Sequence, residues 1–462
     1  DNYIDKNRIY TLTKKINENL HFKFGIKNLY HRMIFTAAAL VSERYGADLN
    51  GIKNRGYEVF RNVIRDTIQK SLEDNKKQNM KLDILMEVYI DIKMNIVENK
   101  EAINDFIDCV IEISDSVNSD NWNGEDVMGI FFNEFNRYKK KSESGQVFTP
   151  DHITSLMYKI LEVNANDKIL DAACGSGAFL VKSMSNMIKE VGGINTKEAK
   201  KIKEHSLFGI EFDREIFALA CANMMIHKDG KTNLEQLDSR DKEASEWIKS
   251  KGITKVLMNP PFERKYGCKK IVENVLNSVP SGIKCAFIMP EKKMEKDKMG
   301  KLLEKHHLEA IIKLPEKLFD AGVTTSIYVF ETGKKQVGEI YGCYIEDDGL
   351  ERVKNQGRQD IKDKWMELEN YWVDSIRKRN DTKYGTSQWI DPKKFLSYQK
   401  PKAEFVLYEE DFVKTMMNYL MFKNKIDVKE FSDKLINKTL YNSEILKEDN
   451  NIVIKIKDAE DE

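Results

Sequence analysis

Apolar residues in the first third of the chain recur at three- and four-residue steps, as at Ile103, Phe106, Ile107, Val110 and Ile111. That spacing puts them on one face of a helix. No proline precedes Pro150, so nothing of that kind forces a helix to end earlier. The pattern predicts a helical domain over residues 1–143, with breaks at 46–51, 75–79 and 118–124. A segment of this kind can be a packing scaffold or a nucleic-acid contact, and periodicity does not separate the two. From about residue 145 the period changes. Short apolar runs alternate with helical stretches up to residue 345, which predicts a parallel sheet in an α/β domain over 144–345. Strands are expected at 168–172, 207–211, 234–238, 255–258, 285–289, 308–314 and 326–331, and 339–345 can extend the sheet. Helices fit between them, for example over 177–190 and 214–227. Residues 346–462 are charged and predict a mostly helical C-terminal region, with an aromatic-rich stretch at 365–372, a short strand at 452–454 and a frayed acidic tail at 458–462.

Composition narrows the class. Hydrophobic residues make up 41% of 462, enough for a large core and too much chain for one ordinary domain. The 75 basic residues balance 75 acidic ones, so any surface that grips a nucleic-acid backbone is a local patch or belongs to a partner. Cys109, Cys174, Cys221, Cys268, Cys285 and Cys343 are scattered, with no Cys-x-x-Cys pair. Neither a zinc site nor a disulfide framework is expected, and the histidines, adjacent His306 and His307 included, suggest no metal site. The first residues have no basic-then-apolar signal pattern, and no apolar run reaches the ~18 residues of a membrane span. These features predict a cytoplasmic chain without a membrane segment.

The first predicted strand runs into Asp171-Ala-Ala-Cys-Gly-Ser-Gly-Ala-Phe179. Glycines at 175 and 177 let the backbone turn sharply and approach a ligand where a Cβ would collide. Such a turn suits a nucleoside-containing cofactor, although many are plain strand–helix connections. The second strand ends at Gly209-Ile-Glu-Phe-Asp213. Glu211 at its tip can accept the ribose hydroxyl hydrogens, whereas Asp213 better fits the cap of the next helix. The glycines and Glu211 are further apart than the usual ~20 residues, and a polar insert at 192–204, read as loop plus surface helix, accounts for the excess. Asp238, after the third strand, can accept from an adenine amine or can be an ordinary helix cap.

The fourth strand ends in Asn259-Pro260-Pro261-Phe262. Two prolines fix a rigid loop at the carboxyl edge of the sheet, where open parallel sheets bind ligands. An aromatic amine is a poor nucleophile because its lone pair is delocalised into the ring. The Asn259 side-chain oxygen and the Pro260 carbonyl can bind its two N–H hydrogens, draw the nitrogen toward tetrahedral geometry and localise that lone pair. Phe262 can stack on the base. Positioning and oriented dipoles suffice, with no titratable base at the start.

Together these residues resemble the N6-adenine DNA methyltransferases, and most closely the modification subunits of type I restriction–modification systems. Three further features carry the likeness, one of them the helical amino-terminal segment, which is typical of those subunits. Gly145-Gln-Val-Phe-Thr-Pro150 precedes the glycine loop, and 314–319 with 322–330 resembles the last two strands of the family's catalytic domain. The resemblance spans about 1–420 and is most specific over 145–330. It implies a Rossmann-like S-adenosylmethionine-dependent methyltransferase sheet of seven mostly parallel strands, with an antiparallel hairpin at one edge. It implies S-adenosylmethionine held by Phe148, Thr149, Pro150, Asp171, Ala173, Gly175, Ser176, Gly177, Glu211, Phe212 and Asp238. It implies catalysis at Asn259, Pro260, Pro261 and Phe262 on an adenine flipped out of double-stranded DNA, giving N6-methyladenine. A separate specificity subunit would read the target, with two catalytic chains per recognition chain. Segments 351–379 and 409–422 would be available for docking it, and a restriction nuclease subunit could accompany them. The rival readings are a methyltransferase for another planar amine or amide (cytosine N4, an RNA base, a protein glutamine) and an inactive relic that only binds DNA or a partner.

Overall fold

The structure, a computed structural model, describes residues 6–74, 79–95, 98–119, 122, 125–135, 148–227, 233–262, 267–297, 300–319, 323–354, 357–402, 406–441, 443–448 and 451–456. Expectations at 75–78, 120–121, 123–124, 145–147, Gly322 and the tail 458–462 lie outside the described residues. The chain divides into two compact units, 1–399 and 400–462.

The helical pattern is realised as α1 (Lys6–Glu18), α2 (Leu29–Arg44), α3 (Tyr57–Asp74), α4 (Asn79–Asp91), α5 (Lys100–Asn118) and α6 (Val127–Phe135). In α5 the face carrying Ile103, Phe106, Ile107 and Val110 is buried, and Asn99 caps the helix by accepting from the backbone N–H groups of Glu101 and Ala102. Helix α2 is the centre of this layer, with Phe35 against Phe106 at 5.4 Å. Arg32 of α2 is fully buried, which is tolerable only because its guanidinium is satisfied. It donates to Asn17 Oδ1 (2.9 Å), the Ile26 carbonyl (3.0 Å) and the Phe135 carbonyl at the end of α6 (3.1 Å).

The sheet strands are β1 (Ile169–Asp171), β2 (Leu207–Ile210), β3 (Asn233–Glu235), β4 (Lys255–Met258), β5 (Lys284–Pro290), β6 (His307–Lys313), β7 (Thr325–Glu331) and β8 (Ile340–Tyr344). A small hairpin, β9 (Glu351–Val353) and β10 (Gly357–Gln359), separates them from β11 (Ser387–Ile390). Among the described residues nine strands form one sheet in the order β11-β8-β6-β7-β5-β4-β1-β2-β3. The strands β3, β2, β1, β4 and β5 run parallel, and β7 is antiparallel to both β5 and β6. The seven strands implied by the resemblance are therefore corrected to nine. Strand β8 joins parallel to β6, and β11, from the region expected to be mostly helical, pairs antiparallel with β8.

Helices α7 (Asp151–Ile160), α8 (Ala178–Glu190), α9 (Lys197–His205) and α10 (Arg214–Ile226) cover the sheet's first half, with α9 occupying the polar insert. Helix α10 is buried along most of its length and packs on α2 and α4, so the amino-terminal helices and the sheet share one core. The aromatic-rich stretch lies in the helix Trp365–Lys378, which packs on α7 and buries Trp372.

The second unit holds the helices Glu409–Lys423 and Val428–Tyr441 and the hairpin β12 (Ser443–Glu448) and β13 (Asn451–Ile456). Neither helix buries a residue. No helix among the described residues is long and apolar enough to cross a membrane.

Candidate active site

The chain runs outward from β1 to β2 and β3, then returns to place β4 on the other side of β1. Strand order reverses there, and loops leaving the carboxyl ends of two parallel neighbours diverge at such a point to open a crevice. The glycine turn follows β1 and the Asn-Pro-Pro-Phe loop follows β4, so two motifs far apart in sequence face one cleft. Phe148, Thr149, Asp171, Ala173, Gly175, Ser176, Glu211, Phe212, Asp238 and all four residues 259–262 line it. Two expected contacts, Pro150 and Gly177, are not on its wall. Pro150 starts α7, its carbonyl accepting from Ile153 and Thr154 N–H at 3.0 and 3.1 Å. Gly177 starts α8 with φ of 94°, a conformation that any residue with a Cβ adopts at a cost.

Asp171 holds the turn by accepting Ala173 N–H at 3.1 Å, and burial pushes its carboxyl well above the usual range. Gly175 has φ of 55°, and a Cβ built on it meets nothing within 4 Å, so its α-carbon faces open space. Its N–H donates to Glu211 Oε2 at 3.0 Å, while Asp213 N–H approaches Oε1 at 3.3 Å. Burial raises Glu211 to about 7, and these backbone donors offset only part of that shift. Asp213 caps α10, accepting Ile216 N–H at 2.9 Å. Beyond β3, Asp238 is clasped by Arg240, with Nη2 to Oδ2 at 2.6 Å and Nε to Oδ1 at 2.9 Å. The hydrogen bond from Arg240 is the main cause holding the Asp238 carboxyl below its ordinary range. Arg240 also lines the cleft. Sequence reading missed it, although an arginine two residues past the acid was a visible signal.

On the opposite wall Asn259 donates Nδ2–H to Thr149 Oγ1 at 3.0 Å. Its Oδ1 is buried with no hydrogen-bond partner. Such an atom calls for an explanation, because buried acceptors are nearly always paired. Phe262 meets Phe319 edge-on at 5.5 Å, and its carbonyl accepts Lys293 Nζ. Phe148 stacks on Phe132 of α6 at 4.0 Å. The cleft is thus lined by an open backbone turn with a carboxyl beside it, by an asparagine whose amide oxygen is unpaired, and by the aromatic ring of Phe262. Among the described residues no group of His, Cys, Asp and Glu is placed to hold a metal ion.

A sheet that switches direction at β1, with a glycine turn on one side of the crevice and Asn-Pro-Pro-Phe on the other, defines a Rossmann-like methyltransferase fold. Residues 123–281 match the model of the N-6 DNA methylase family, and the chain belongs to that family. It is 30% identical over 340 residues to the type II restriction enzyme and methyltransferase RM.BcgI of Heyndrickxia coagulans, covering 68% of this chain and 51% of that protein. It is 22% identical over 215 residues to the type I restriction enzyme EcoEI methylase subunit of Escherichia coli, covering 41% of this chain and 43% of that one. The chain spans about half the length of the curated relatives it matches. A solved structure described as the structural basis of complex assembly and conformational transition of the type I R-M system aligns with a TM-score of 0.59 and 16% identity. That alignment covers 94% of this chain and 98% of the other, and at such identity the likeness speaks for the fold.

Proposed function

We propose that this chain transfers the methyl group of S-adenosylmethionine to the N6 amine of an adenine turned out of duplex DNA, as the methylase subunit of a type I-like restriction–modification system. One observation carries the reading: Asn259, whose Oδ1 is buried and unpaired, lines the same cleft as the open turn at Gly175. The residues present suit a nucleoside with a charged tail. Gly175 leaves room for close approach, Glu211 offers a carboxyl to ribose hydroxyls, and Phe148 and Thr149 line the same cleft. When bound, S-adenosylmethionine supplies a methyl group on a sulfonium, an activated carbon that a neutral amine can attack.

The chain's own residues then prepare the amine. Asn259 Oδ1 and the Pro260 carbonyl accept its two N–H hydrogens and fix the nitrogen's orientation. Phe262 stacks on the base, and Phe319 backs that ring edge-on. After transfer the amine's extra proton passes to water.

Equal numbers of basic and acidic residues support a second part of the proposal. Most phosphate contacts, and the reading of the target, belong to a separate specificity subunit. To test the reading, the protein is incubated with methyl-labelled S-adenosylmethionine and duplex DNA, with and without that partner, and the nucleosides are resolved by mass spectrometry. Label in N6-methyladenine, strongest with the partner, is expected. Label in N4-methylcytosine, or none with the partner present, overturns it.

A further inference from the structure

Helix α6 carries none of the residues expected in the site, yet contacts from it reach both walls of the cleft. Asp126, immediately before the helix, is buried, and its Oδ1 accepts Met128 N–H at 3.1 Å. The same oxygen accepts Asn223 Nδ2–H at 2.7 Å. Asn223, wholly buried in α10, turns its Nδ2 at 2.8 Å to the carbonyl of Ser176 as well, between the two glycines of the turn. One amide nitrogen therefore ties the cofactor turn to the start of α6. Six residues after Asp126, Phe132 stacks on Phe148, whose neighbour Thr149 holds Asn259. His227, at the end of α10, accepts Val127 N–H at 3.4 Å, and burial lowers it to about 3, so the ring is neutral and free to accept.

A turn built on glycines has little conformational preference of its own. A site needing sub-ångström positioning must get rigidity from its surroundings. Both walls here take their reference from one short helix, so their separation is set by a single rigid body.

We propose that α6 is a brace of the cofactor site, with Asp126 acting through Asn223 on the 175–177 turn and Phe132 acting through Phe148 on the opposite wall. Asp126, Asn223 and Phe132 are positioning residues; none of the three lines the cleft. The inference rests on the methyltransferase reading above, in that S-adenosylmethionine is the ligand whose binding reports on the brace.

The test is calorimetric titration of the full chain with S-adenosylmethionine, beside thermal unfolding of the cofactor-free protein. Asp126→Ala should weaken binding about tenfold, roughly the worth of one buried hydrogen bond. Asp126→Asn keeps an acceptor oxygen for Asn223 and should recover most of the loss. Phe132→Leu keeps apolar bulk at a half-buried position and should weaken binding several-fold with little change in the unfolding midpoint. In turnover assays both lesions should raise KM for the cofactor while kcat at saturation changes less. If the unaltered protein binds no S-adenosylmethionine, the methyltransferase reading fails. If it binds and Asp126→Ala binds equally well, only the brace fails. Should Asp126→Ala not fold, Phe132→Leu decides, and unchanged affinity in that variant overturns the inference.

Discussion

Asn259 gives its side-chain nitrogen to Thr149 at 3.0 Å and keeps its side-chain oxygen buried and unpaired in the wall of the cleft. Leaving a buried acceptor unmade costs about 1–3 kcal/mol, a cost that an incoming N–H removes. Thr149 therefore fixes which end of the amide is paired and which is left for an incoming donor. Thr149→Val removes that partner while keeping the shape, and kcat for methyl transfer should fall about tenfold or more. Thr149→Ser keeps the hydroxyl and should stay near the unaltered rate. Single-turnover methylation of duplex DNA distinguishes the two.

Gly175→Ala separates fold from ligand. Its φ of 55° makes any side chain mildly strained, by about 1 kcal/mol, yet the added methyl meets no protein atom within 4 Å. The unfolding midpoint should drop by only a few degrees. The methyl would stand in the space proposed for the cofactor, so affinity for S-adenosylmethionine should fall by more than about tenfold. Calorimetry beside a melting curve reads both effects.

The raised Glu211 gives a signed pH dependence. Its carboxyl sits at about 7, against an ordinary 4.5, because burial disfavours the charge. The folded protein keeps this proton where the unfolded chain releases it. The resulting contribution to stability is complete below about pH 4.5 and is lost as pH rises through about 7. Ribose hydroxyls donate best to the ionised form. Binding of S-adenosylmethionine should then release protons near neutrality, and affinity should climb with pH across that range. Titrations in buffers of differing ionisation heat measure the release, and Glu211→Gln should abolish it.

The parts of the fold and site that were legible in the sequence are those written locally. The β4 segment is an apolar run bounded by loop residues, and that pattern predicts a strand over 255–258, the limits it has in the structure. Strand β11 was not legible: Ser387-Gln388-Trp389-Ile390 has little apolar pattern, and it becomes a strand by pairing with distant β8 across Trp389↔Tyr341. The same division holds in the cleft. Gly175, Glu211 and Asn259 announce themselves because each ends or follows a predicted strand. The Asn259–Thr149 bond joins residues 110 apart and the Asn223–Asp126 bond residues 97 apart, separations that no local pattern encodes. Pro150 and Gly177 lie in the same two motifs, but their backbone conformations start helices and neither lines the cleft.

The most direct test replaces the atom on which the chemistry turns. Asn259→Ala removes the unpaired oxygen of the residue proposed to hold the base and leaves the turn at Gly175 and the carboxyl of Glu211 in place. The account predicts S-adenosylmethionine affinity within a few-fold of the unaltered protein and no detectable N6-methyladenine in duplex DNA supplied with the complete set of subunits. Methylation continuing at a comparable rate in that variant would contradict it.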